Sequence, residues 1–145
     1  MNNQTKDLSY FKLKLQELLN SSFPEKAHDY KFIEQRSKWA ASAYEAAFVA
    51  GNSIDQCSEI ANYILFEGLH FSKFDTVFQV VCNEFDTTMA DEELQPFTLK
   101  MLSICNSVFE KYELTDDFEN TAAYDLLYTE LTGTIAIWIE ENGLQ

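Results

Sequence analysis

Chemistry near neutral pH in this chain would have to come from two histidines, three cysteines or paired carboxylates. Glu67-Gly68-Leu69-His70 has the E-x-x-H spacing with which di-iron helical bundles hold metal. Those bundles need two such pairs and two more glutamates on facing helices. No second E-x-x-H occurs, and Gly68 is expected to end its helix before His70 could align. His70 is therefore expected at a helix end or in a loop. His28, among Glu25, Lys26 and Asp29, reads as part of a solvated face.

Cys57, Cys82 and Cys105 contain no C-x-x-C pair and fall on apolar helical stripes. There a reduced cysteine packs like a small hydrophobe, whereas a catalytic thiol needs exposure and an electropositive setting. Asp116-Asp117 and Glu92-Glu93 are adjacent in sequence, so their side chains point different ways on a helix. They fit acids that complement helix dipoles after Thr115 and around Asp91. The chain has no Gly-rich phosphate loop, no G-x-S-x-G and no G-K-[ST]. The expectation is a protein that is not an enzyme, with no catalytic residues, no metal and no cofactor.

The elements that would position these residues read at helical period throughout. Leu8, Phe11, Leu15 and Leu18 form one apolar stripe, ending near Asn20-Ser21-Ser22. Pro24 suits the first turn of a second helix that runs to Ala50, with room for a break near Tyr30. Its alanine-rich half suggests a close-packed face at Ala43, Ala47 and Ala50, edged by Trp39 and Phe48. Gly51-Asn52 stops it, and Ser53 with Gln56 predicts a capping box for a third helix. That helix carries Ile54, Cys57, Ile60, Ala61, Ile64 and Leu65, and ends at Gly68.

Ser72 caps a fourth helix, burying Phe74, Val77, Phe78, Val81 and Phe85. A fifth starts near Asp91 and buries Leu94, Phe97, Met101, Cys105, Val108 and Tyr112. Residues 134–139 alternate like a strand, yet Tyr124, Leu127, Leu131, Ile135 and Trp138 continue a helical stripe through Gly133. Length favours a helix from near Thr121 to Glu141, with Gly133 at a close helix crossing. Four glycines and two prolines are too few for the turns of a β-sandwich. The expected fold is all-α, a compact orthogonal-type bundle of about six helices in a single domain over 1–145.

Ala47, Gly51, Cys57 and Ile60, with Ser53 opening the next helix, match the pattern of a helix-turn-helix. The charge does not follow. A recognition helix needs cations for phosphates and donors for base edges, and no Lys or Arg lies between Trp39 and Ser72. The net charge is −14, and it is unevenly spread. Residues 1–52 carry seven basic and six acidic groups; residues 53–145 carry three lysines against 18 acids. No direct nucleic-acid binding is expected from such a balance. The opening residues lack an apolar leader, and no apolar run approaches the ~20 residues of a membrane span. With an odd number of cysteines, these features point to the cytoplasm and away from membranes.

One corner stands out, Phe66-Glu67-Gly68-Leu69-His70-Phe71-Ser72-Lys73-Phe74, where three phenylalanines crowd a short connection. Leu65 to Asp75, together with Leu114-Thr115-Asp116-Asp117-Phe118 and Leu127-Tyr128-Thr129-Glu130-Leu131-Thr132-Gly133, resembles a family of small Bacteroidales proteins known as a domain of unknown function. The likeness runs from about Phe32 to Asn142. It implies an all-helical fold, a cytoplasmic non-membrane setting and an association with conjugative or other mobile elements. It brings no catalytic residues.

The expected function is therefore a non-enzymatic helical protein-interaction or accessory protein with a protein partner, which a second copy could supply. The alternative is an acidic DNA mimic that occupies a nucleic-acid-binding enzyme. Candidate partner contacts are Phe66, His70 and Phe71 at the corner and the basic cluster Lys26, Lys31, Arg36 and Lys38.

Overall fold

Four of the α-helices begin where a short polar side chain, Asp7, Asp29, Ser53 or Ser72, accepts a free N–H group. The computed structural model describes residues Asp7–Leu144 and places them in two compact units, Met1–Leu69 and His70–Gln145. Among the described residues there are seven α-helices and no strand.

The first unit holds α1 (Leu8–Ser22), a 3₁₀ turn at Pro24–Lys26, α2 (Tyr30–Val49) and α3 (Ile54–Leu65). Asp7 and Asp29 accept the backbone N–H of Tyr10 and Phe32 at 3.1 and 3.2 Å, fixing the starts of α1 and α2. The predicted capping box of α3 is present: Gln56 N–H donates to Ser53 Oγ at 3.1 Å, and Ser53 N–H to Gln56 Oε1 at 2.9 Å. Between α2 and α3 the chain reverses at Gly51, whose φ of +97° lies in the left-handed region that favours glycine. Gly51 and Asn52 N–H donate to Phe48 and Ala47 carbonyls at 3.1 Å each, a Schellman closure of α2.

The core of this unit is a narrow seam. Phe11, Leu15 and Leu19 of α1 meet Ile33, Ala40, Tyr44 and Ala47 of α2 and Cys57, Ala61 and Leu65 of α3. Small residues dominate where α2 and α3 face each other, so their backbones approach closely and little of either helix is covered. That geometry corrects the sequence reading in detail. The buried alanines are Ala40 and Ala47, while Ala50 and Trp39 are exposed. Ile54 and Ile60, expected on the buried stripe of α3, lie exposed on its outer side.

The second unit holds α4 (Lys73–Glu84), α5 (Asp91–Ile104), α6 (Asn106–Phe109), a 3₁₀ turn at Phe118–Asn120 and α7 (Ala122–Asn142). Ser72 caps α4, accepting Asp75 N–H at 2.9 Å, and Glu93 Oε1 accepts Ala90 N–H at 2.9 Å at the start of α5. Leu94, Phe97, Met101, Cys105 and Val108 are all buried as the period predicts. The helix expected to carry them unbroken tightens at Cys105, where Val108 N–H donates to the Cys105 carbonyl at 2.9 Å, and restarts as α6. This interruption supplies the helix beyond the six expected. Residues 134–139 are helical, within α7, so the strand-like alternation gives way to the longer helical stripe of Leu127, Leu131 and Ile135. Gly133 is exposed, and a Cβ built on it meets no atom within 4 Å among the described residues. It marks no close helix crossing.

Two substitutions test this packing. Ser37 Oγ in the α1–α2–α3 seam is buried without a hydrogen-bond partner among the described residues, unlike Thr76 and Thr98, which donate to the Ser72 and Leu94 carbonyls. Ser37→Ala should raise the free energy of unfolding by about 1 kcal/mol in urea denaturation, because it removes an unsatisfied buried hydroxyl. Gly133→Ala should add about 1 kcal/mol through helix propensity, since the methyl points into open space. A loss of stability in the second variant would restore a packed crossing at that position.

Candidate functional site

The cap at Asp29 sets the phase of α2, and the inward seam through Ile33, Ser37, Ala40, Tyr44 and Ala47 decides which residues face out. Tyr30, Lys31, Glu34, Lys38 and Trp39 line a shallow open depression, with the two aromatics at its edges, half a turn apart about the axis of α2. Tyr30 is 65% and Trp39 54% exposed, large aromatic surfaces for a helix of this length. Glu34 lies between them and holds Lys12 at 2.8 Å and Lys38 at 3.8 Å. Its carboxyl is held below the usual carboxylate value, chiefly by the Lys12 hydrogen bond. Lys31 is exposed on the same side. The arrangement is an aromatic pair flanked by ammonium groups, suited to an apolar surface bordered by carboxylates.

The other members of the basic cluster are occupied within the fold. The Arg36 Nη1 donates to the carbonyls of Glu67 at 2.7 Å, Ile64 at 3.3 Å and Leu65 at 3.4 Å. It thereby satisfies carbonyls left open at the C-terminus of α3. Its guanidinium also lies 4.7 Å from the Phe32 ring centroid, and Lys26 Nζ lies 5.5 Å from the same ring. Because Arg36 stands near the start of α2 and reaches the end of α3, the two helices form an antiparallel hairpin joined at Gly51. A recognition helix projecting steeply from its partner is a different geometry.

The aromatic corner is divided between the two units. Phe66 is half-buried against the core of the first, with Lys14 Nζ 5.8 Å from its ring centroid. Phe71 packs in the second, edge-on to Phe118 at 5.4 Å and Tyr124 at 6.5 Å. His70 is exposed, its Nε2 3.9 Å from Asp116 Oδ2. Glu67 and His70 lie beyond the end of α3, on either side of Gly68 with its φ of +79°, and share no helical face. No group of three or more histidine, cysteine and acidic side chains is disposed around a point among the described residues. Burial pushes the Cys105 thiol up to about 11, and burial followed by the charges of Asp86 and Asp91 raises that of Cys82. Neither environment favours a thiolate.

The polar contacts of the second unit act as straps onto α7. Tyr112 O–H donates to Glu130 Oε1, and Lys111 Nζ lies 2.7 Å from Glu130 Oε2. Tyr128 O–H donates to Glu84 Oε2 at 2.9 Å and Tyr124 O–H to Gln79 Oε1 at 3.3 Å, tying α7 to α4. Lys31 and Lys38 are among the candidate contacts that the sequence suggests; Tyr30 and Trp39 are not. The spacing Ile33, Ser37, Ala40, Tyr44 puts Trp39 on the outer side of α2, whereas Tyr30, seven residues before Ser37, stands at the first position of the helix at the edge of the buried stripe and is exposed there.

Residues 3–144 match the family model of DUF1896, a domain of unknown function, and the chain belongs to that family. It is similar in structure to protein PG0816 from Porphyromonas gingivalis, a Bacteroidales member, known from a crystal structure. That chain is 42% identical, with a TM-score of 0.89, over 96% of this chain and 95% of its own length. No curated protein matches. Among the described residues no helix is long and apolar enough to cross a membrane.

The cap and the strap can be separated experimentally. Arg36→Met keeps apolar packing on Phe32 but strands the α3 carbonyls, and should cost about 2 kcal/mol of stability, against within about 0.5 kcal/mol for Lys31→Met. At Glu130 the carboxyl is lowered from 4.5, first by Lys111 and then by Tyr112, and the same bond raises the Tyr112 phenol from 10.0. A depressed carboxyl adds stability that is lost as pH falls through its folded value. A raised phenol adds stability that is lost as pH rises through its own. The urea-midpoint gap between wild type and Glu130→Gln should therefore hold across about pH 6–9 and close towards both extremes. A gap independent of pH would show that the strap contributes nothing through ionisation.

Proposed function

We propose that this DUF1896 protein is a non-enzymatic interaction protein that docks an acidic partner protein through the outer face of α2. The observation that carries the reading is that the exposed Tyr30 and Trp39 line one shallow depression with Lys31 and Lys38. Tryptophan and tyrosine dominate binding energy at protein interfaces, and a rim of cations selects a carboxylate-bordered surface. The cytoplasm is part of this reading, supported by three free cysteines. Its setting in mobile elements rests on the family resemblance alone. A second copy is a candidate partner, because the second unit carries fifteen acidic residues against three lysines.

The alternative of an acidic DNA mimic draws on the same excess. Ten of the second unit's fifteen acids lie at the start of α5, in the stretch before α7 and at the end of α7, with the rest on α4, just after it and in α7, and among the described residues no one helix bears a phosphate-like row of them. The α2 face therefore has the stronger support.

Photo-crosslinking distinguishes these readings. With Trp39→p-benzoylphenylalanine in the full chain, irradiation in the native cytosol should give one discrete adduct, lost when Lys31→Glu and Lys38→Glu are added. An adduct of twice the 16.7 kDa chain would identify a second copy. No adduct at position 39, or the same pattern from a control at Glu17 on α1, would overturn docking through α2. A nucleic-acid-binding enzyme captured from Glu141 but not from position 39 would favour mimicry instead.

A further inference from the structure

The second unit contains a cavity that none of the preceding contacts uses. Met89, Pro96, Phe97 and Leu144 form its apolar walls, with a volume of about 220 Å³, close to the scale of one large side chain. Glu92, Glu93 and Lys100 complete the lining. Behind it, Phe97 packs edge-on to Trp138 at 6.0 Å.

The three charged groups are not equivalent. Glu93 is committed to the Ala90 N–H at the start of α5. Lys100 Nζ lies 5.3 Å over the Trp138 ring, held by the aromatic face. Glu92 makes no hydrogen bond or ion pair among the described residues and is exposed. The cavity thus pairs apolar walls with a net single negative charge, Glu92 and Glu93 against Lys100, and with one carboxylate, Glu92, that no internal partner occupies among the described residues, in a unit where acids outnumber bases fifteen to three. A cation is drawn to that field, and an apolar group fills the space without leaving a polar atom unsatisfied.

The geometry points to a binding site for a small ammonium with an apolar arm, its tail against Pro96, Phe97 and Leu144 and its charge at Glu92. The same chemistry occurs in a free arylalkylamine and in an apolar side chain beside a lysine on a protein. This site stands apart from the α2 face and does not depend on the docking reading.

Trp138 provides the readout. In the full chain carrying Trp39→Phe, all indole emission comes from Trp138, because the chain has two tryptophans. Titration with 2-phenylethylammonium should change that emission saturably, and at least roughly tenfold more tightly than phenylacetate, which has the same ring and the opposite charge. Glu92→Gln should remove most of the preference, and Glu92→Lys should reverse it towards phenylacetate. Position 92 is exposed, so both variants should keep the wild-type circular dichroism spectrum. The peptide acetyl-Lys-Phe-Lys-amide separates the sources: tighter binding than the free amine assigns the site to a protein partner, weaker binding to a small molecule. No saturable response, equal response to both charges, or a preference unchanged by Glu92→Lys would overturn the site.

Discussion

The close approach of α2 and α3 is the constraint on which the first unit depends. Ser37, Ala40 and Ala47 on one helix and Cys57 and Ala61 on the other are too small to hold the backbones apart. A contact made by small side chains covers a narrow stripe, so the larger apolar residues on either side of it stay in solvent. Tyr30, Trp39, Ile54 and Ile60 are exposed for this reason and not through any lack of core. The same approach brings Arg36 within reach of the last carbonyls of α3, because the start of one antiparallel helix lies beside the end of the other. One packing choice thus creates the cap that closes the hairpin and leaves Tyr30 and Trp39 of α2 exposed.

The second unit solves its packing differently. Its core is built from large side chains, among them Phe97, Met101, Phe109, Leu127 and Leu131, so burial there does not require close backbones. Its polar groups hold α7 from the side, through Tyr112, Tyr124 and Tyr128, each with its hydroxyl on a side chain of another segment. Each tyrosine buries a ring while its oxygen stays at the surface, which is how a helix apolar on several sides can be fixed in rotation. Leu126 and Ile137 remain outside these straps.

Much of this architecture was legible in the sequence, and the boundary of legibility has a physical origin. Caps are local chemistry, so Ser53 with Gln56, Ser72 and the stop at Gly51 could be read from a few residues. Helical period also survives small irregularities, which is why Leu94 to Val108 were placed correctly although the helix breaks at Cys105. The phase of a buried stripe within an apolar helix is another matter, because the neighbour decides it. Ala40 and Ala43 are chemically identical, and only the position of α3 puts one in the seam and leaves the other half-buried. Gly133 failed for the same reason, since a glycine records that a crossing is permitted and not that one exists.

The candidate site shows the same division. Charge could be counted along the chain, and the basic cluster before Trp39 was evident. What a count cannot register is which charges are spent. Arg36 is consumed by three carbonyls and a ring, Lys26 lies against Phe32, and Lys12 neutralises Glu34. Lys31 and Lys38 remain beside the exposed aromatics, and among the described residues only the 3.8 Å contact to Glu34 draws on one of them. A cation already bound within its own fold gains little from a partner, whereas an exposed one beside a desolvating aromatic surface gains from each carboxylate brought against it. Complementarity for an acidic surface is thereby concentrated on one side of one helix.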